Sequence, residues 1–136
     1  MSTVIEKANK KLPAGKAAFG IRKPAQISTA RIIKDLREGF GVNQGMMVRL
    51  SGYSPRSIIS WAKGTKVTRP AAMKFTELNR LFEALADLTQ SREEVTAWLE
   101  TPNEAFEGST PLQVIERGES DRIWRMIYFL RSGEPS

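Results

Sequence analysis

The spacing of apolar residues constrains the fold of this chain more than any other feature. From Ser28 onward, apolar side chains recur every three or four positions, and the first segment runs through Ala30, Ile33, Leu36 and Phe40. Such spacing places the side chains on one face of an α-helix. No segment alternates polar and apolar residues over the length of a useful strand. The sequence therefore predicts an all-α protein.

The second and third predicted helices are short and lie close together in the sequence. They are expected from about Gln44 to Ser51 and from Pro55 to Gly64. Gly52 supplies the turn because glycine adopts left-handed backbone at little cost, and Ser54 is a preferred capping residue for the helix that follows. Two helices joined in this way are typical of the helix-turn-helix, whose second helix enters the major groove of DNA.

The outward side of the third helix carries residues that can contact DNA. Burial of Val48, Ile58 and Trp61, which the motif predicts, leaves arginine, serine and lysine facing outward. Arginine can pair bidentately with guanine, serine can donate or accept, and Ile59 at the margin can contact a thymine methyl group. A solvated helix face is the alternative interpretation. The candidate DNA-binding residues, including those expected to contact phosphates, are Gln44, Ser54, Arg56, Ser57, Ser60, Lys63, Lys66 and Arg69.

Further helices are predicted towards the C-terminus. A longer fourth helix is expected over about Ala71 to Leu88. Two capping boxes, Ser91 with Glu94 and Thr110 with Gln113, predict the starts of two more helices.

The last helix is predicted from about Ser120 to Ser132 and ends at Gly133. Ile123, Ile127 and Leu130 form one apolar stripe, but aromatic and methionine side chains extend it around most of the circumference. A helix that is apolar on more than one side needs more than one surface to bury against. The second surface is predicted to be another protein chain. A central helix wrapped by its own domain is the alternative.

Charge is distributed unevenly along the chain, within a total of +6. Residues 1–28 and 29–90 each carry a net charge of +5, whereas residues 91–136 carry −4. A basic N-terminal region is expected of a protein that binds the phosphate backbone of a nucleic acid. The same phosphates would repel the acidic C-terminal region. Chance variation in a chain of 136 residues is the alternative explanation.

The residues that the chain lacks exclude several classes of function. Cysteine and histidine are both absent, which excludes disulfides, zinc knuckles, thiol nucleophiles and histidine-based triads. The chain also has no Gly-rich phosphate loop. We therefore expect no enzyme activity, no catalytic residues, no metal and no cofactor. No segment has the length of a signal peptide core or of a membrane span, so we expect a cytoplasmic protein with no membrane partner.

The segment from Ala97 to Gly118, AWLETPNEAFEGSTPLQVIERG, and the last helix resemble the Xre/MbcA/ParS toxin-binding domain. The residues that carry the resemblance are Trp98, Leu99, Pro102, Asn103, Phe106, Gly108, Thr110, Pro111, Leu112 and Gly118. Members of that family are antitoxins of bacterial type II toxin-antitoxin pairs, commonly with an Xre-like helix-turn-helix before this domain. Their usual partner is a RES-domain toxin that consumes NAD.

The resemblance implies that the C-terminal region dimerises and blocks the toxin's active-site cleft. It implies that the N-terminal half represses the operon promoter, and a homodimer on an inverted repeat of double-stranded DNA is the expected arrangement. The toxin-binding residues are expected at the exposed chain end, namely Tyr128, Arg131, Ser132, Gly133 and Glu134. A stand-alone transcription regulator, whose C-terminal domain only dimerises, and a protein-interaction adaptor remain open.

The predicted organisation has three parts. Residues 1–27 form a basic flexible arm, which either lies along DNA or is a solvated tail. Residues 28–90 form the Xre-like DNA-binding domain, and residues 91–136 form the helical toxin-binding and dimerisation domain.

Overall fold

The computed structural model describes residues 27–133, and the predicted arm lies outside them except for Ile27. This part of the chain contains helices and no strand, which confirms the all-α prediction. None of its helices is long and apolar enough to cross a membrane. The helices are α1 (Thr29–Lys34), α2 (Gln44–Ser51), α3 (Pro55–Ala62), α4 (Arg69–Thr89), α5 (Arg92–Leu99), α6 (Pro111–Glu116) and α7 (Ser120–Ser132). A short 3-10 turn, Glu104–Phe106, lies between α5 and α6.

Polar caps explain where most of the helices begin. Ser28, Asn43, Ser54 and Thr68 each accept a hydrogen bond from a backbone N–H in the first turn of the following helix. These caps satisfy donors that the first turn of a helix otherwise leaves unpaired. Because the signals are local in the sequence, the starts of α2 and α3 agree with the predicted ones.

The first helix differs from the prediction in its second half. The backbone widens into a π-helical turn over Asp35–Gly39, after which the Val42 N–H donates to the Leu36 carbonyl at 2.9 Å. Leu36, Phe40 and Val42 are all buried. Packing of these side chains into one core favours the wider turn over a regular α-helix.

The fourth helix is the centre of the fold. It packs against α1 and α2 and also against α5 and α7. Buried apolar side chains from both halves of the described chain form one contiguous cluster. Within it, the rings of Phe40 and Phe82 meet edge to face with their centroids 5.0 Å apart, a favourable geometry for aromatic pairs.

One of the two predicted capping boxes is wrong. The Ser91 side chain makes no capping hydrogen bond, although Ser91 does precede α5. A capping box would need the Ser91 N–H to donate to Glu94, but that N–H donates to the Thr89 hydroxyl at 3.3 Å. The box at Thr110 and Gln113 is confirmed, with reciprocal bonds of 3.1 and 2.9 Å.

Because Thr110 caps a helix and Ser91 does not, we expect alanine substitutions at the two positions to change stability by different amounts. Thr110→Ala should lower the free energy of unfolding by about 1 kcal/mol because a backbone N–H of α6 loses its acceptor. Ser91→Ala should change it by less than about 0.5 kcal/mol because the Ser91 side chain makes no capping bond. Urea unfolding of the two variants and the wild type measures both values. Equal decreases in the two variants would contradict the assignment of caps.

Candidate functional site

The two helices predicted to form a helix-turn-helix are α2 and α3. Gly52 ends α2 with a φ of 80°, and the Ser54 hydroxyl accepts the Ser57 N–H at 3.1 Å. Ile58 and Trp61 are buried, as the motif predicts, whereas Val48 is only partly buried against the core. The Trp61 ring packs against Tyr53 with centroids 5.0 Å apart. These contacts fix α3 on the body of the protein with its opposite face outward.

The outward face of α3 carries a mixed set of side chains. Arg56 and Lys63 are exposed, and Ile59 between them retains 44% of its surface. Ser60 is half-buried on the same face. Ser57 is half-buried as well and its hydroxyl lies 3.2 Å from that of Ser54, so both belong to the cap of the helix. The structure thus places the exposed Arg56 and Ile59 of α3 on the same side as Lys63, which caps the end of the helix.

Positive charge surrounds this helix. Residues 39–76 contain six lysines and arginines and no acidic residue. Lys66 precedes α4 and Arg69 begins it, and both are exposed. No salt bridge within residues 27–133 involves Lys66, Arg69, Arg56 or Lys63. Unpaired cations on one side of a protein attract polyanions such as DNA.

Gln44 is half-buried at the first position of α2. Its side-chain oxygen accepts a hydrogen bond of 3.3 Å from the Arg37 guanidinium. Arg37 was not predicted as a site residue because no sequence signal indicates the π-helical turn from which it projects.

Arg49, in contrast, is paired with the C-terminal half. Its guanidinium donates to both carboxylate oxygens of Glu116 in α6, at 2.8 and 3.0 Å. These hydrogen bonds lower the pKa of the Glu116 carboxyl and raise that of Arg49. The pair therefore joins α2 to α6.

The lowered pKa of Glu116 predicts a pH-dependent contribution to stability. A carboxyl whose pKa is depressed by folding stabilises the fold above its unfolded pKa of about 4.3, and loses this effect as the pH falls through the folded value. Both side chains keep more than a third of their surface, so Glu116→Gln should cost below about 1 kcal/mol at pH 7. Unfolding at pH 7 and at successively lower pH should show the difference from wild type disappearing. Glu104→Gln is the control because Glu104 forms no salt bridge within the described residues.

Three of the six large apolar side chains that are exposed in the described chain lie at the end of α7. Tyr128, Phe129 and Leu130 retain 62%, 38% and 53% of their surface, whereas Ile123 and Ile127 are buried. Leu130, the last residue of the predicted stripe, therefore lies outside the core. The reason is that α7 extends one turn beyond Ile127, the last of its residues in the core.

Two shallow grooves flank this end of α7. One, of about 370 Å³, is lined by Trp124 and Tyr128 together with Glu77 and Arg80 of α4. The other, of about 310 Å³, includes Phe129 and Arg125. The residues from α4 were not predicted, because only the folded chain brings α4 beside α7.

The other residues predicted at the chain end lie close to this apolar surface. Arg131 is 3.8 Å from Asp87 of α4, and the Ser132 hydroxyl donates to the Phe129 carbonyl at 3.2 Å. Gly133 ends the helix with a φ of 71°. Glu134 lies outside the described residues.

The motif residues between α5 and α6 shape a tight loop. Asn103 accepts the Ala105 N–H at 2.9 Å, and Phe106 is buried. Glu107 and Gly108 adopt positive φ of 53° and 87° in succession, which costs little at glycine and more at glutamate. Arg122 of α7 holds this turn by donating to both carboxylate oxygens of Glu107, at 2.9 and 3.0 Å.

Comparisons with known proteins agree on one family. The model of the antitoxin Xre/MbcA/ParS C-terminal toxin-binding domain matches residues 84–123, from the end of α4 into α7. The mycobacterial cidal antitoxin MbcA of Mycobacterium bovis is 30% identical over 81 residues, which cover 59% of this chain and 71% of the relative. MbcA of Mycobacterium tuberculosis matches to the same extent.

A solved structure shares the fold. The crystal structure of the M. tuberculosis MbcT-MbcA toxin-antitoxin complex contains a chain that superposes with a TM-score of 0.65 and 24% identity. The match covers 82% of this chain and all of that one. Together with the match to MbcA in sequence, these findings show that the chain belongs to the Xre/MbcA/ParS family of antitoxins.

Proposed function

We propose that this cytoplasmic antitoxin neutralises a RES-domain toxin that consumes NAD, and that it represses its own operon as a homodimer. The exposed end of α7 binds the toxin, and the outward face of α3 reads an inverted repeat in the promoter. The two activities use different surfaces of the same chain.

The observation that carries the toxin-binding half of the proposal is the apolar end of α7. Tyr128 and Leu130 each expose more than half of their surface next to the partly exposed Phe129. A projecting turn of this kind fits a concave site, and tyrosine is one of the residues that most often anchors an interface. Insertion of this turn into the cleft of an NAD-consuming toxin would exclude its substrate. The family membership and the MbcT-MbcA complex of the relative support a toxin as the partner.

The observation that supports DNA binding is the unpaired positive charge around α3. Arg56 and Lys63 face outward from α3, and Arg69 adds a cation at the start of α4. In a helix-turn-helix, residues at the start of the second helix contact base edges. Arg56 is the second residue of α3 and is therefore the residue that we assign to a guanine.

Recognition of an inverted repeat requires two copies of the chain. A dimer with twofold symmetry presents two copies of α3 to two half-sites about one helical turn apart. Light scattering of the purified chain tests this arrangement directly, with a mass of twice 15.2 kDa expected.

The toxin partner is tested by co-expression. The product of the adjacent gene should arrest growth when expressed alone, and this chain should relieve the arrest and co-purify with that product. Growth arrest without relief by this chain would contradict neutralisation. Absence of arrest, together with binding of the chain to its own upstream DNA, would favour a stand-alone transcription regulator instead.

A further inference from the structure

Arg37 and Gln44 form a pair of donors beside the helix-turn-helix. The Arg37 guanidinium donates to the Gln44 side-chain oxygen across 3.3 Å, and the π-helical turn Asp35–Gly39 carries Arg37 to this position. Local π-helical turns occur frequently at functional sites in proteins. The pair joins the π-helical turn that follows α1 to the start of α2.

The hydrogen bond decides which way the Gln44 amide points. Arginine has donors and no acceptor, so it can bind only the oxygen of the amide. The amide nitrogen of Gln44, with its two donors, is then directed away from Arg37. Arg37 is exposed and, among residues 27–133, has no salt-bridge partner, although Glu38 follows it in the chain. The free groups of the pair are therefore N–H donors, and the arginine adds a full positive charge.

Such an arrangement matches a phosphate group of the DNA backbone. Phosphate oxygens are acceptors, and charge-assisted hydrogen bonds to them are the stronger kind. In a helix-turn-helix, the first helix of the motif crosses the backbone while the second enters the groove. Gln44 begins that first helix, α2, so the pair lies where a phosphate is expected beside α3.

We propose that Arg37 and Gln44 act as a phosphate clamp that sets the register of α3 in the groove, with Arg37 both contacting the phosphate and orienting the Gln44 amide. This inference rests on the proposed DNA-binding function. It adds a residue that lies outside the motif and that carries no base specificity of its own.

The test is a fluorescence anisotropy titration with two duplexes of equal length. One is the DNA upstream of the gene for this chain, and the other has the same bases in scrambled order. Arg37→Ala should weaken binding to both duplexes by about tenfold, because binding to the DNA backbone is independent of sequence. The slope of log affinity against log salt should fall by about 0.9 for each phosphate that the variant no longer neutralises. Arg37→Gln, which removes the charge and keeps much of the side-chain length, should reduce the slope by the same amount.

Two further variants separate orientation from charge. Gln44→Ala should weaken DNA binding when it is the only substitution. It should have a smaller effect when combined with Arg37→Ala, because Arg37 no longer orients the Gln44 amide in that variant. Arg80→Ala also removes one positive charge, but from the part of α4 that lines the groove beside α7. It should leave the DNA affinity and the slope of log affinity against log salt unchanged.

The outcomes distinguish this inference from the function on which it rests. If the wild type binds the upstream duplex but Arg37→Ala binds both duplexes within twofold of wild type and with the same slope, the clamp is wrong and DNA binding stands. Weaker binding of the upstream duplex alone would also overturn the clamp, since it would indicate base readout. If the wild type binds neither duplex, the clamp and the proposed DNA binding both fail.

Discussion

Replacing Arg56 by alanine is expected to abolish binding of the chain to its operator. A bidentate arginine-guanine pair contributes about 1 to 3 kcal/mol of discrimination, and a dimer would lose two such pairs. The expected weakening is therefore roughly 100-fold or more on the upstream duplex. Arg56 is exposed and outside the core, so the thermal stability of the variant should match that of wild type. Anisotropy titration measures the affinity, and calorimetry checks the fold.

Arg56→Lys is the matched control for this prediction. Lysine keeps the positive charge but not the planar fork that pairs with guanine. We expect this variant to retain binding to the scrambled duplex while losing preference for the upstream one. Neutralisation of the toxin should be unchanged in both variants because α7 is unaltered. Unchanged operator affinity and salt dependence in Arg56→Ala would show that α3 does not read the bases as assigned.

Replacing Tyr128 by aspartate is expected to abolish neutralisation of the toxin. Tyr128 exposes 62% of its surface in the free chain, and burial against the toxin would leave the new carboxylate without a partner. Removal of a tyrosine anchor costs about 2 kcal/mol or more at an interface, and an unpaired buried charge adds to that cost. The affinity for the toxin should fall by roughly 100-fold or more. Growth on co-expression with the toxin and calorimetric titration of the purified proteins measure the effect.

Ile59→Asp is the reciprocal control. It also places an aspartate at an exposed apolar residue, one with 44% of its surface accessible, but on α3. This variant should lose DNA binding through repulsion from phosphates and should still rescue growth from the toxin. Equal effects of the two substitutions on neutralisation would contradict the separation of the two surfaces.

Local signals explain what the sequence predicted correctly. Gly52, Ser54 and Pro55 define the turn and the start of α3 within four residues, and the structure agrees with each of them. The buried positions Ile58 and Trp61 follow from helical spacing once that start is known. The resemblance carried by the segment from Trp98 to Gly118 identified the family in the same way, from residues close together in the chain.

Interactions between distant residues explain what the sequence did not predict. Arg49 and Glu116 are 67 positions apart, so nothing near either residue indicates their pairing. The proximity of Glu77 and Arg80 to Tyr128 depends on the packing of α4 beside α7. At Ser91, the backbone N–H donates to the Thr89 hydroxyl rather than to Glu94, so the predicted capping box does not form. Each of these features depends on tertiary or competing interactions that a linear pattern does not contain.

The most direct test of the central claim is the NAD consumption of the purified product of the adjacent gene at rising concentrations of this chain. We predict that consumption falls to zero at a fixed stoichiometry with wild type and with Arg56→Ala, and continues with Tyr128→Asp. Continued consumption of NAD at an excess of the wild-type chain would contradict neutralisation of the toxin.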